Sequence, residues 1–154
     1  MEIVLGLLVL AGLSYVLFFR KKEEPVVVKE ATTIDIDPDT LNISVAQTVD
    51  AVTQIDSITA LIPVHMAGAA CEMEEISKIC KDRGVAIIED AAHALGGFYS
   101  NGQPVGSCAF SDMTVFSFHP VKSVTTGEGG VVTTNNEDLY RKLLRLRSHG
   151  INQL

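Results

Sequence analysis

From Ile34 onward the chain switches between two hydrophobic periods. Ile34-Asp35-Ile36-Asp37 alternates every second residue until Pro38-Asp39 breaks it, which predicts a strand ending in a turn. Ser44 followed by Gln47 has capping-box spacing, and Val45, Val49 and Val52 then share one helical face. Residues 59–65 (TALIPVH) form an almost unbroken apolar run, as a strand covered on both faces requires. Met73, Ile76, Ile79 and Cys80 make the next helical stripe. Glu72, Glu74, Glu75, Lys78, Lys81 and Asp82 stay on its wet side, and Gly84 is placed to end the helix. Residues 85–88 return as a strand, so 59–88 reads as a strand–helix–strand unit with parallel strands. Further on, 100–103 (SNGQ) marks a turn, and 113–118 and 131–134 read as strands. A last helix starts near Asn135-Asn136, with Leu139, Leu143 and Leu146 inward. The fold class is α/β.

The N-terminal residues break with this pattern. Residues 3–19 (IVLGLLVLAGLSYVLFF) carry no charge and close on Arg20-Lys21-Lys22. As a helix rising about 1.5 Å per residue they span roughly 25 Å, a little short of a hydrocarbon core of about 30 Å. No basic segment precedes the run and no small-residue cleavage site follows it, which disfavours a removable leader. The run has no polar face, which disfavours a core helix. The expectation is a single transmembrane anchor with its basic flank at 1–22, a charged linker at 23–33 (EEPVVVKEATT), and an α/β domain at 34–154. The positive-inside rule puts that domain in the cytoplasm; the alternative is a wholly cytoplasmic chain.

A net charge of −7 over 154 residues, with no basic stripe interleaved with aromatics, excludes a nucleic-acid binder. Cys71, Cys80 and Cys108 are odd in number and lack CxxC pairing. Neither a zinc site nor a disulfide framework is expected, only reduced thiols. The sequence has no P-loop, no GxGxxG fingerprint, no Ser/His/Asp triad with independent support and no metal-ligand cluster.

Candidate chemistry concentrates in residues 87–130. One apolar run ends in Glu89-Asp90. A second ends in Ser117-Phe118-His119-Pro120-Val121-Lys122, and Gly127-Glu128-Gly129-Gly130 comes next. A carboxylate and an amine thus sit at the ends of two short strands, where open α/β sheets collect their ligands. A nucleophilic lysine needs surroundings that favour its neutral form, and an electron-sink cofactor needs a carboxylate at its ring nitrogen. Asp90 fits the second role. Lys122, between apolar Val121 and Val124, fits the first. On spacing alone Lys122 is better read as a solvated loop lysine, and Asp90 can simply cap the next helix. His93 can be structural and Ser117 a plain strand-end serine. Alternation turns Glu89 to the face opposite Asp90. The glycines of GEGG let the chain double back behind the lysine.

The segments EDAAHA and SFHPVKSVTTGEGG, with IPVHMAG upstream and LRSHG downstream, resemble the pyridoxal-phosphate-dependent sugar aminotransferases of the DegT/DnrJ/EryC1/StrS family. The likeness covers residues 34–154 and is closest to enzymes that aminate UDP-4-keto sugars, whose signature has a histidine within SFH. It implies part of the large domain of a type I aminotransferase fold, in a homodimer whose active site lies at the interface. It implies that Lys122 bonds pyridoxal 5'-phosphate and then shuttles a proton, and that Asp90 pairs with the ring nitrogen. Ser117 would donate to the cofactor phosphate. His93 would hydrogen-bond the ring hydroxyl or lie against the ring, and His119 would shape the sugar pocket. The implied substrates are a nucleotide sugar and an amino donor, glutamate, serving polysaccharide or glycoprotein decoration. Lys122 argues against the sugar-dehydrating members that work without that lysine. Two departures stand out: the family's small-residue turn for the cofactor phosphate is not visible upstream, and nothing follows the RSHG segment beyond Leu154. They give the expectation of weak cofactor binding and no transamination by this chain alone. They also give the rival reading of a membrane-anchored, non-catalytic partial copy.

Overall fold

The computed structural model describes residues 31–150 and the backbone of one strand before them. The elements are β1 (Ser14–Leu17), β2 (Thr32–Ile34), α1 (Val45–Gln54), β3 (Ala60–Ile62), a 3-10 turn (Met66–Gly68), α2 (Met73–Arg83), β4 (Ala86–Asp90), β5 (Met113–Ser117), β6 (Gly130–Thr133) and α3 (Glu137–Arg147). The strands form one mixed sheet in the order β2-β1-β3-β4-β5-β6. The parallel trio β3-β4-β5 is its centre, β1 runs antiparallel to β2 and β3, and β6 runs antiparallel to β5.

The strand–helix–strand unit is as its periodicity implies. Met73, Ile76 and Cys80 are buried, and Gly84 ends α2 in the left-handed conformation at φ 66°, donating its N–H back to Lys81. The N-terminal part of the domain is not. The expected strand at 34–37 gives way to β2 at Thr32–Ile34, because the aspartates bond their own backbone. Asp35 Oδ1 accepts the Ile36 N–H at 2.8 Å, and Asp37 Oδ1 accepts those of Asp39 and Thr40. Ser44 caps α1 by accepting the Gln47 N–H at 3.4 Å. The reciprocal half of the box is missing, since Gln47 Oε1 accepts from Asp35 N instead. α1 buries Thr48 and Val52, while Val49 faces water.

Of the expected membrane anchor, only Ser14–Leu17 falls among the described residues, and it is a strand rather than helix. Its backbone pairs with Thr32–Ile34 on one side and Ala60–Ile62 on the other, so β3 has no open edge there. An apolar run without periodicity is compatible with either structure, and here the edge of β3 supplies the partner. The rest of residues 3–19 and the basic flank lie outside the described residues. Among the described residues no helix is long and apolar enough to cross a membrane.

Alternation gives the sheet two unlike faces. Leu61, Ile87 and Phe116 join Val52, Ile76 and Cys80 in one core under α1 and α2. On the other face Ile88, Asp90, Met113, Val115 and Ser117 are only half-buried. α3 has an apolar stripe, but it is not fully inward as expected: Leu139 and Leu143 are half-buried and Leu146 is exposed.

All three cysteines are free and buried. Burial pushes the Cys71 thiol up to about 12 and the Cys80 thiol to about 11, which leaves almost no thiolate at neutral pH. An aromatic disulfide reagent at mildly alkaline pH should therefore label Cys71 and Cys80 only as fast as the fold opens, and urea should release both. Rapid stoichiometric labelling of these two in the folded chain would contradict that burial.

Candidate active site

The end of β4 is held from both sides. Asp90 donates its N–H to Pro63 O at 2.9 Å and accepts from His65 N at 3.0 Å, while Ala91 N bonds Val115 O at 2.8 Å. With the backbone fixed, the Asp90 side chain projects onto the open, half-buried face. Its Oδ1 accepts the Ala92 N–H at 3.0 Å; turns rather than a helix follow β4, so this bond steadies a turn and not the helix end expected. That bond occupies one oxygen and leaves the carboxylate able to accept a second donor. In register, Asp90 stands beside Val115, and Ser117 lies two residues further along β5 on the same face, about 7 Å on at 3.3 Å per residue.

His93 sits exposed in the turn that leaves Asp90. The 3-10 turn after β3 approaches it closely: a Cβ on Gly68, at φ +93°, would come 3.1 Å from the His93 carbonyl. The structure therefore packs the IPVHMAG and EDAAHA segments against each other.

Lys122 lies in a loop whose neck is closed by Phe118 N to Gly129 O at 2.8 Å. Ser117 Oγ accepts the His119 N–H at 3.3 Å, and the Lys122 N–H bonds His119 O at 2.9 Å. At the neck a Cβ on Gly130 would stand 2.7 Å from the Phe116 carbonyl, so only glycine lets β6 leave this close to β5. Lys122 itself is half-buried. Val121 and Val124, expected to desolvate it, are instead 78% and 54% exposed. His119 and Glu128 face each other at 3.9 Å on the surface of this loop.

The four expected residues thus cluster at one end of the parallel trio, but no hydrogen bond or ion pair joins them among the described residues. Their donor set fits a phosphorylated, protonated pyridine aldehyde: a carboxylate with spare acceptor capacity, a hydroxyl, an imidazole and an amine. A backbone cradle for the phosphate is not seen among the described residues. A hollow of about 460 Å³ opens at the far end of β4, lined by Lys81, Gly84, Ala86 and Asp112 among others, and contains none of the four.

What the sequence does not reveal lies beneath Asp90. Glu89 is fully buried, as alternation places it, and is surrounded by side-chain donors. His65 Nε2 lies 2.7 Å away, Tyr99 Oη 2.8 Å and Thr114 Oγ1 2.9 Å, and Ser111 Oγ also donates to it. His65 Nδ1 accepts the Cys71 N–H at 3.0 Å, so it carries no proton; the imidazole is neutral and Nε2–H donates to Glu89. Burial alone would raise the Glu89 pKa, but the bonds from His65, Ser111 and Tyr99 together outweigh it and hold the carboxyl below its ordinary value. The donors stand 10 to 25 residues away in sequence, beyond any local pattern. The histidine of IPVHMAG was the one visible hint.

The sequence profile of the DegT/DnrJ/EryC1/StrS aminotransferase family matches residues 26–153. The protein MJ1066 of Methanocaldococcus jannaschii is 49% identical over 120 residues, covering 78% of this chain and 30% of that protein. Two solved structures superpose closely. Helicobacter pylori PseC, an aminotransferase involved in the biosynthesis of pseudoaminic acid, has a TM-score of 0.68 at 35% identity, covering 78% of this chain and 31% of PseC. DesI, solved in the presence of its TDP-sugar product, has a TM-score of 0.68 at 39% identity, covering 77% and 29%. The chain spans about 30% of the length of these relatives. From its profile, its sheet and its shared sequence, the chain belongs to the DegT/DnrJ/EryC1/StrS aminotransferase family.

Proposed function

We propose that this chain provides the cofactor-holding end of a pyridoxal-phosphate-dependent aminotransferase that places an amino group on the keto carbon of a nucleotide sugar. The observation that carries the reading is the placement of Asp90 and Ser117 on the same open face at the ends of β4 and β5, with Lys122 in the loop that leaves β5. DesI, which holds its TDP-sugar product, and PseC, which serves the biosynthesis of pseudoaminic acid, support the substrate class. The finer form of the proposal is a UDP-4-keto sugar, resting on His119 within SFH, with glutamate as the donor that the family likeness implies.

When bound, pyridoxal phosphate supplies a reactive aldehyde on a ring that draws electrons while its nitrogen is protonated. Lys122 would hold it through its amine, whose Nζ could also accept and return a proton. Asp90 would accept a hydrogen bond from the protonated ring nitrogen and keep that proton in place, while the Ala92 N–H on Oδ1 fixes the carboxylate's orientation. Ser117 Oγ already accepts from His119 N, which leaves its O–H directed elsewhere and able to donate to the phosphate. His93 flanks the ring from the adjoining turn.

The test is reductive trapping. The full chain is incubated with pyridoxal phosphate, reduced with borohydride, digested and mapped by mass spectrometry. The label is expected on Lys122 and absent from Lys122→Arg, which keeps the charge without the reactive amine. Labelling of other lysines with Lys122 untouched would overturn the assignment.

A further inference from the structure

The buried carboxylate of Glu89 plays no part in the chemistry proposed above, yet the chain commits four side-chain donors to it. Burying a carboxylate is expensive, and an apolar residue of similar size would fill the same space without that cost. The donors show what the arrangement achieves. His65 lies just past β3, Thr114 is on β5, Ser111 is in the approach to β5, and Tyr99 is in the loop that leaves β4. These segments frame Asp90 on every side along the sheet.

Two of the links lead directly to the site. The loop that carries His93 leaves β4 at Asp90 and returns to bond β4 at Glu89 through Tyr99, so Glu89 closes it at its far end. Inside the loop, Ala94 N bonds Ala91 O and Gly97 N bonds Ala94 O, so little slack remains between the ends. On the other side, His65 is fixed by Glu89 at Nε2 and by the Cys71 N–H at Nδ1. That leaves the 3-10 turn between them one orientation, with Gly68 against the His93 carbonyl. Tyr99 is further held edge-on between the rings of His65 and Phe110.

We infer that Glu89 is a positioning residue: by tying the turn after β3, the His93 loop and β5 to one buried point, it sets the direction of the Asp90 carboxylate and the place of His93. This rests on the cofactor-holding reading of Asp90. Its role is exerted through the opposite face of the same strand, without contact to substrate or cofactor.

The test is amide exchange by NMR on the full chain, without cofactor. The Ala92 amide donates to Asp90 Oδ1 and so reports that carboxylate, whereas the Ile76 amide bonds Glu72 O at the start of α2 and makes none of the bonds to Glu89 or Asp90. In Glu89→Gln the side-chain amide sets a donor against donors. Ala92 exchange should rise roughly tenfold or more while Ile76 stays within about twofold, because only the local opening becomes easier. Tyr99→Phe keeps the ring packing and removes one donor; it should give a smaller change at the same place, and it carries the test if Glu89→Gln does not fold. Equal acceleration at Ala92 and Ile76 would mark Glu89 as merely structural, and an unchanged Ala92 in a folded variant would exclude any positioning; either overturns the inference. Because no cofactor is used, an unlabelled Lys122 in the trapping experiment would sink the proposed function without altering this result.

Discussion

In a chain extended to the full length of its relatives, Asp90→Asn is expected to slow amino-group transfer by orders of magnitude while leaving cofactor bound. Asparagine has nearly the same shape and keeps an oxygen for the Ala92 N–H, so the local backbone bond survives. What it lacks is the negative charge that holds a proton on a ring nitrogen, and without that proton the ring accepts electrons poorly. The deficit should appear in the rate of the half-reaction with glutamate, followed by absorbance, far more than in the amount of cofactor retained. A loss confined to the chemical step is the signature of an interaction needed in the transition state. A variant with near-wild-type rates would show that Asp90 only organises its own turn.

Glu89→Ala should have the largest effect on stability. It leaves the donors of His65, Tyr99, Ser111 and Thr114 facing an emptied, solvent-free site. Each stranded buried polar group costs about 1–3 kcal/mol, and breaking a buried charged network costs about 3–5 kcal/mol or more. Against a total of roughly 5–15 kcal/mol the chain should be marginal or unfolded, with a large drop in its urea midpoint. The pH dependence has a definite sign. The folded Glu89 carboxyl is held below the ordinary value of 4.5, whereas in the unfolded chain it protonates near that value. Its contribution is therefore fully present above about 4.5 and is lost as pH falls through the lower folded value. Wild-type stability should decline along an acid limb that is flattened in Glu89→Gln. Equal acid limbs in the two proteins would show that other carboxylates dominate the transition.

How much was legible in the sequence depends on how local the cause is. The stripe of Met73, Ile76 and Cys80 with Gly84 behind it marks α2 almost to the residue, because both signals lie within the helix. The period of two through Ile87 and Glu89 placed Glu89 and Asp90 on opposite faces, and the strand ends located Asp90 and Ser117. The Ile34–Asp37 alternation misled because aspartate competes for backbone N–H groups, a preference that outweighs period two in so short a run. Ser14–Leu17 misled in the opposite direction, because the partner that makes it a strand is β3, more than forty residues on. The donors around Glu89 were invisible for the same reason. Each is an ordinary residue locally, and only the sheet brings them together. The lysine loop falls between these cases: its glycines announce a reversal but not where its neck closes.

That neck separates two things a chain could vary. Phe118 and Gly129 seal the loop, and Gly130 admits β6 against the Phe116 carbonyl, so the sheet ends at a fixed line while the ten residues from 119 to 128 project beyond it. Lengthening or shortening that stretch alters how far the amine reaches and what lies beside it, without moving a residue of β5 or β6. Diversification over substrates of different size then requires only changes in a solvent-exposed loop, while the strands behind it stay under the separate constraint of packing.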